Sequence, residues 1–394
     1  MKFSTIVAAV FTAVACVDCR VTPETNNQVL LQFDTGLKDY IVDDKYSLLQ
    51  LHKSLVDISS VSFNETEVAK YLEQYLTDAG LTVELQLVEE PAYNLKNKRY
   101  NVYAYLGDRR DTKVVMTSHI DTVPPFFPYR VEGSKIYGRG TNDAKGSVAT
   151  QVITFLDLVS KKMINEGDVS LLFVVGEEVN GGGMKYASDH LNANWSIGIF
   201  GEPTELKLGV GHKGIYIFEL FAEGKAAHSG YPQLGVSATE FLVPLLNDIL
   251  QLQLPHSTLL GPSTINIGRI EAGVAANVIP AKGFAQVSIR VATDYDKVVE
   301  SVKELVKDRQ HITFKEYQGV RPQYLDYKVP GFDSIILAYS TDVPNLTLPL
   351  SHRFLYGPGS IFVAHGDHEY VENQDLLDAI DGYTRLIDHA LHLD

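Results

Sequence analysis

The sequence is poor in cysteine, tryptophan and positive charge. Two of its 394 residues are cysteine, one is tryptophan and four are methionine. Both cysteines, Cys16 and Cys19, lie in the first twenty positions, so no disulfide can staple whatever folds downstream. The fold must rest on its core, with any further help coming from bound metal. Lys and Arg number 34 against 49 Asp and Glu, a formal net charge of −15. That surplus of acid repels phosphate backbones and argues against nucleic-acid binding. Beyond the amino terminus no apolar run approaches the roughly 20 residues that span a bilayer, so an integral membrane protein is not expected. What is present is ordinary for a globular chain: 45% apolar and 21% charged residues, which excludes disorder, collagen and coiled coil. The length exceeds what one core usually holds and predicts about two domains.

The chain begins MKFSTIVAAVFTAVACVDCR. Lys2 supplies a positive start, Ile6 to Ala15 an apolar stretch too short for an anchor, and Ala13-Val14-Ala15 a small-x-small cleavage site. Residues 1–19 therefore read as a secretory signal with the cleavage bond left open, and the protein is expected to be secreted and extracellular. Three Asn-x-Ser/Thr triplets, at Asn64, Asn194 and Asn345, are then candidate glycan acceptors, although such triplets also arise by chance.

Helical spacing of apolar residues predicts helices over 47–59 and 66–79, the second stopped by Gly80. β-rich runs then alternate with helices: LTVELQLV, NVYAYL, KVVMT, a helix over 146–162, VSLLFVV and IGIF. This alternation indicates an α/β layer architecture with ligand sites in the loops that leave the carboxyl ends of the strands. From GIYIFELFAEG to HITFKEYQ the rhythm changes to β-α-β-β-α-β, a ferredoxin-like unit of about 110 residues that looks inserted. Helical patterns return over 332–339 and 375–392, so the first domain closes with the C-terminal segment. The expected organisation is 20–211 and 321–394 for the first domain and 212–320 for the insert.

Chemistry concentrates at the strand ends. KVVMT runs into Ser118-His119-Ile120-Asp121, where residues two apart face one side, so a carboxylate can orient a metal-binding imidazole. Gly138 to Gly146 is a glycine-punctuated turn that puts Asp143 just before a helix, where it is either a ligand or an N-cap. VSLLFVV ends in Glu177-Glu178; adjacent side chains diverge, so one can bind metal while the other faces a bound water, although a solvated acidic turn is the commoner fate of such a pair. IGIF leads into Gly201-Glu202. Four strand-and-turn units thus deliver oxygen or imidazole ligands to one rim. A histidine and carboxylates without thiolates suit zinc or another borderline divalent ion, and several acids around a bridging Asp suggest two ions about 3.5 Å apart.

At these residues the chain resembles the acetylornithine deacetylase, succinyl-diaminopimelate desuccinylase, aminoacylase and glutamate carboxypeptidase family of co-catalytic zinc hydrolases. SHIDTVPP, GRGTNDAKG, GEEVNGGG, GEPTEL, GHKG, AAHSGYPQLGVSA, NVIPAKG and YGPGSIFVAHGDHEY occur in the family's order, and the likeness runs from about Ser47 to the C-terminus. The leader sets the chain beside secreted carboxypeptidases of the group. The resemblance implies a zinc-exopeptidase-like α/β catalytic domain, its central mixed sheet flanked by helices, with an inserted ferredoxin-like α+β lid and dimerisation domain. It implies two zinc ions per subunit, with cobalt or manganese as alternatives: one on His119, Asp143 and Glu202, the other on Asp143, Glu178 and His365. Glu177 would be the general base and Asp121 would hold His119. The family's His followed four residues later by Glu selects His365; the extra His368 departs from the pattern and is expected at the surface or behind the ligands. His228 matches the lid histidine that stabilises the oxyanion, Asn277 and Arg290 match positions that grip a free carboxylate, and the Gly359 backbone would assist. His212 is as easily a packing residue as a catalytic one, and a snorkelling role for Arg290 stays open. The expected activity is cleavage of the amide bond next to a C-terminal amino acid, with an N-acyl-amino-acid deacylase as the alternative and a non-catalytic metal-bound binding protein as the weaker one. The expected partners are a peptide or N-acyl-amino-acid substrate and a second copy of the chain, making a homodimer through the insert; neither nucleic acid nor membrane is among them.

Overall fold

The computed structural model describes residues 29–32, 36–43, 45–90, 97–317 and 319–393; the expected leader, with Cys16 and Cys19, lies outside them. Its largest element is a six-stranded mixed sheet in the order His352–Leu355, Ile197–Phe200, Val114–His119, Val169–Val174, Arg99–Tyr105, Thr82–Val88. The first four strands are parallel, and Arg99–Tyr105 runs against both of its neighbours. Val114–His119 and Val169–Val174 are buried at every residue, as expected of parallel strands covered on both faces. Helix Lys145–Ser160, buried at fourteen of its sixteen residues, packs against this sheet and is covered in turn by Leu48–Asp57 and Asn373–Leu391. Ser47 caps Leu48–Asp57 by accepting from Gln50 N at 3.3 Å.

A second, four-stranded antiparallel sheet has the order Thr264–Ala272, Lys282–Val291, Gly214–Glu223, Ile312–Glu316. Its elements follow the expected β-α-β-β-α-β order, with helices Ala238–Leu250 and Tyr295–Val306 between strands. Gly214–Glu223 alternates buried and half-buried residues, and Tyr216, Phe218, Leu220 and Ala222 form an apolar cluster of their own with the two helices. Edge strand Thr264–Ala272 is largely exposed.

The helix expected over 332–339 is instead strand Ser334–Leu337, which pairs in parallel with Leu208–His212. A short apolar run such as Ile335-Ile336-Leu337 fits either element; four residues are too few to nucleate a helix, while a waiting strand edge fixes them at once. Leu337 is buried against Leu355 and Phe200, and Ile336 is turned to solvent. Helix Gly182–His190 was not legible from its glycine-rich start. Those glycines answer a close approach: a Cβ on Gly183 would lie 2.2 Å from the Val175 carbonyl oxygen. Among the described residues no helix is long and apolar enough to cross a membrane.

Candidate metal centre

Four parallel strands end on one rim and hand their side chains to it. His119 closes Val114–His119, Glu177 and Glu178 follow Val169–Val174, Glu202 follows Ile197–Phe200, and Gly357-Pro358-Gly359 follows His352–Leu355. Gly357 lets that last turn pass close under Glu202, since a Cβ there would sit 2.5 Å from the Glu202 carbonyl oxygen. Asp143 arrives from the turn before helix Lys145–Ser160. It is no N-cap: Ala144 holds that position and no side chain caps the helix.

Asp143 offers its two oxygens to different imidazoles. Oδ1 is 3.1 Å from His119 Nε2, and Oδ2 is 3.3 Å from His365 Nε2. His365 Nε2 is also 3.0 Å from Glu178 Oε2. One ligand atom each from His119, Asp143 and Glu178 lies within 4.8 Å of the others. Glu202, 6% exposed, shares the wall of a small cavity with His119 and Asp342. His368, by contrast, is exposed and turned to Asp367.

Asp121 works differently from the simple expectation. His119 Nδ1 is 3.0 Å from the Asp121 main-chain carbonyl and 3.5 Å from its carboxylate, so both hold the ring. The carboxylate also accepts from Glu177 N at 3.0 Å, Glu178 N at 3.3 Å and Ser62 Oγ at 2.7 Å. One buried acid therefore ties the His119 loop to the Glu177-Glu178 loop.

Electrostatics explains what such a cluster can hold. Asp121, Asp143, Glu177, Glu178, Glu202 and Asp342 crowd around two imidazoles, and among the described residues none of the six pairs with Lys or Arg. Burial, with Glu202 and Asp342 nearby and His119 opposing, drives Glu177 well above the usual carboxylate range. Burial does the same to Glu202. Asp342 is pushed up to about 6 by burial, and its Oδ2 has no hydrogen-bond partner among the described residues. Burial alone would lower His119, but its hydrogen bonds to Asp121 and Asp143 raise it. Hydrogen bonds to Asp143 and Glu178 push His365 up to about 10. A buried excess of negative charge of this kind is what divalent cations neutralise, so the donor set fits metal.

A frame of residues that local motifs did not reveal holds this cluster. Glu369, 1% exposed, accepts from the backbone N–H groups of Gly140, Asn142 and Asp143 at 3.0, 3.1 and 3.1 Å. Its other oxygen takes Arg139 Nη1 at 2.7 Å, and Arg139 Nη2 reaches the His365 carbonyl at 3.4 Å. Lys145, lowered to about 7 by burial, donates to the carbonyls of Leu55 and Ile58 at 2.8 and 2.9 Å. Asp342, Ser62 and Tyr339, whose hydroxyl donates to the Pro203 carbonyl at 2.9 Å, were likewise not anticipated. Only Glu369 had left a trace, as the acid four residues after His365.

The second sheet unit places its candidates in two groups. His228 and Asn277 are exposed neighbours: His228 bridges Val278, and Ser229 N donates to the Asn277 carbonyl at 3.0 Å. Among the described residues neither side chain makes a hydrogen bond or ion pair with a metal donor. Arg290 leaves the central strand Lys282–Val291 and reaches Ser340 Oγ at 3.4 Å. His212 is fully buried, with Nε2 3.2 Å from Thr341 Oγ1, and burial lowers it to about 4. Gly359, at φ +76, packs so tightly on Asn142 that a Cβ would meet its Oδ1 at 1.9 Å. Of the three sequons, Asn64 and Asn194 are exposed. Asn345 is half-buried and donates its amide nitrogen to Asp342 Oδ1 at 2.8 Å, as Asn194 does to Asp111 Oδ2 at 3.2 Å.

Residues 115–389 match peptidase family M20/M25/M40. A peptidase M20 domain-containing protein of Schizosaccharomyces pombe is 52% identical over 345 residues, covering 88% of this chain and 85% of its own. A probable carboxypeptidase of Aspergillus flavus is 41% identical over 389 residues, covering 90% and 92%. Among solved structures, a tripeptidase of Staphylococcus aureus is similar with TM-score 0.72 at 20% identity over 88% of this chain and 98% of its own. A dinuclear metal-binding peptidase of Bacillus subtilis is similar with TM-score 0.65 at 17% identity over 88% and 98%. The chain therefore belongs to peptidase family M20/M25/M40 and is a hydrolase of peptide or amide bonds.

Proposed function

We propose that this peptidase is a secreted carboxypeptidase that holds two zinc ions and cleaves the amide bond next to a C-terminal amino acid. One observation carries the reading: the two oxygens of Asp143 serve separate imidazoles, so one acid can bridge two ion positions. One position draws on His119, Asp143 and Glu202, the other on Asp143, Glu178 and His365, an N/O donor set that suits zinc and accepts cobalt or manganese. When bound, such ions lower the pKa of a shared water and polarise a carbonyl. Glu177, half-buried and paired with no Lys or Arg among the described residues, takes the attacking water's proton and passes it to the leaving amine. Asp121 fixes the His119 ring and the Glu177 backbone together.

Residues 212–320 act in this reading as a ferredoxin-like lid and dimerisation domain. His228 donates to the oxyanion, while Asn277, Arg290 and the Gly359 backbone hold the free carboxylate. That His228 and Asn277 stand exposed supports their serving the site of a second copy, paired through edge strand Thr264–Ala272, where Ile270 is 57% exposed. The leader-like start supports secretion, with Asn64 and Asn194 as accessible glycan acceptors. The relatives named probable carboxypeptidases support the peptide substrate; the GPGSI and GEPTEL segments favour an N-acyl-amino-acid deacylase as the second reading.

The test is to incubate zinc-loaded protein, with and without chelator, with N-acyl amino acids and N-blocked dipeptides, and to identify products by mass. Chelator-sensitive release of the C-terminal amino acid from the dipeptides is expected. Release from N-acetyl amino acids alone selects the deacylase, and no turnover of any member ends both readings.

A further inference from the structure

A cavity of about 390 Å³ lies beside the metal centre, between the second sheet unit and segment 335–339. That volume is in the range of sites that enclose small ligands. It adjoins the centre at both ends. Pro203 on its wall follows Glu202, and Ile361 and Phe362 lie a few residues before His365. Ser360, next to Ile361, accepts from Asn142, the neighbour of Asp143, at 3.0 Å. Most of the wall is apolar, formed by Ile335, Ile336, Ile361 and Phe362 among others. Two charged groups line it, Arg290 and Glu205. Glu205 is already engaged, by Lys207 at 3.1 Å and by Ser360 Oγ at 3.0 Å. Arg290 has no acidic partner within 4 Å among the described residues, and burial lowers its pKa.

Two further side chains speak for an occupant. Phe362 is 87% exposed and Ile336 54% exposed, on separate segments at the same cavity. Bulky apolar groups gathered at one mouth gain free energy when something apolar covers them, at about 25 cal/mol for each Å² removed from water.

We propose that this cavity receives the side chain of the substrate's C-terminal residue and selects large aliphatic or aromatic side chains over acidic ones, with Ile336 and Phe362 determining specificity. The inference rests on the carboxypeptidase reading. Once the terminal carboxylate occupies Arg290, no second cation remains on the wall. A leucine or phenylalanine side chain then covers the isoleucines and Phe362. An aspartate or glutamate side chain is left unpaired, facing Glu205 across an apolar wall.

The experiment has two arms, both on the full zinc-loaded chain. The first measures kcat/KM on N-blocked dipeptides ending in phenylalanine, leucine, glycine and glutamate. Phenylalanine and leucine are expected to exceed glycine by about 10-fold or more, and glutamate to fall below glycine. Ile336→Arg, at an exposed position, should shift the glutamate-to-leucine ratio upward by about 10-fold, and Phe362→Ala should narrow the phenylalanine-to-glycine ratio. A flat series, or a preference for glutamate, overturns the proposal while leaving the carboxypeptidase reading intact. The second arm measures calorimetrically the binding of free phenylalanine, leucine, glycine and glutamate, and needs no turnover. Tighter binding of the apolar pair upholds the pocket even if no dipeptide is cleaved, and equal binding of all four overturns it.

Discussion

The metal-centre side and the second sheet unit treat their polar residues in opposite ways. Asp121 is buried and accepts three hydrogen bonds besides holding His119; Glu369 is buried and receives four. His228 and Asn277 stand in solvent, and among the described residues the one side-chain hydrogen bond of His228 is accepted from Gly230 N, two residues away. The first region carries its geometry in the fold itself, so that reacting groups meet at no cost of reorganisation. The second leaves these groups open to solvent, where the proposed reading has them meet substrate or a second copy of the chain. Substitution should therefore act through chemistry and stability in one region, and through assembly in the other.

The largest effect is expected at Glu177. Glu177→Gln keeps the shape and removes the proposed base, so metal content should stay unchanged while turnover falls roughly 10²-fold to 10⁴-fold. Metal content by elemental analysis and the rate of C-terminal release together decide it; a near-normal rate would take Glu177 out of the reaction. Next is Glu369. Glu369→Ala leaves the buried Arg139 guanidinium uncompensated and three backbone N–H groups of the Asp143 loop without their acceptor. It should cost about 3 to 5 kcal/mol in urea unfolding and lower metal occupancy. Asn277→Ala, in the exposed pair, should stay within about 0.5 kcal/mol. Equal costs for the two would erase the contrast between the regions.

Why the sequence disclosed one part of the centre and hid another follows from distance along the chain. His119 with Asp121, and Glu177 with Glu178, are local pairs at the ends of strands whose burial shows in their composition, so their convergence on a rim could be inferred from strand polarity. The frame is built of contacts with no local trace. Arg139 and Glu369 are 230 positions apart, and Asp342 follows a segment whose strand was mistaken for helix. Ser334–Leu337 owes its conformation to the edge of Leu208–His212, a partner that periodicity cannot see. The alternating pattern of the second unit was readable because its own two helices cover it.

The exposed pair yields a test of assembly. If His228 serves the site of a second copy, inactive His228→Ala and inactive Glu177→Ala proteins should complement when their subunits exchange. Random mixing makes about half of the dimers mixed, each with one intact site of two, so activity should return to roughly a quarter of wild type. Sedimentation must first show a dimer. A strictly monomeric active protein, or exchange without recovery, would place the action of His228 in its own chain or nowhere.

A further effect concerns acid, and it too should be confined to the metal-centre side. His52 is fully buried beneath the loop that carries Asp143; its Nε2 is 3.0 Å from the Thr141 carbonyl, while Lys145 lies close enough to oppose a second positive charge. Burial lowers its pKa from 6.5 to about 4. Between those values the unfolded chain binds a proton that the folded chain does not, so stability is full above about pH 6.5 and is lost as pH falls toward 4. From pH 7 to pH 5 this one group should remove about 2 kcal/mol. Asp39, raised to about 6 mainly by burial, acts in the opposite sense over part of that range, so the comparison must be made against a variant at the same pH. His52→Gln keeps a donor for Thr141 and has nothing to titrate. The chain's single tryptophan, Trp195, is buried on the metal-centre side, so its fluorescence follows the unfolding of that region. Measured on chelated protein, the gap between the urea midpoints of wild type and His52→Gln should shift in favour of the variant by that amount between pH 7 and pH 5. An unchanged gap would mean that His52 is protonated equally in the folded and unfolded chains.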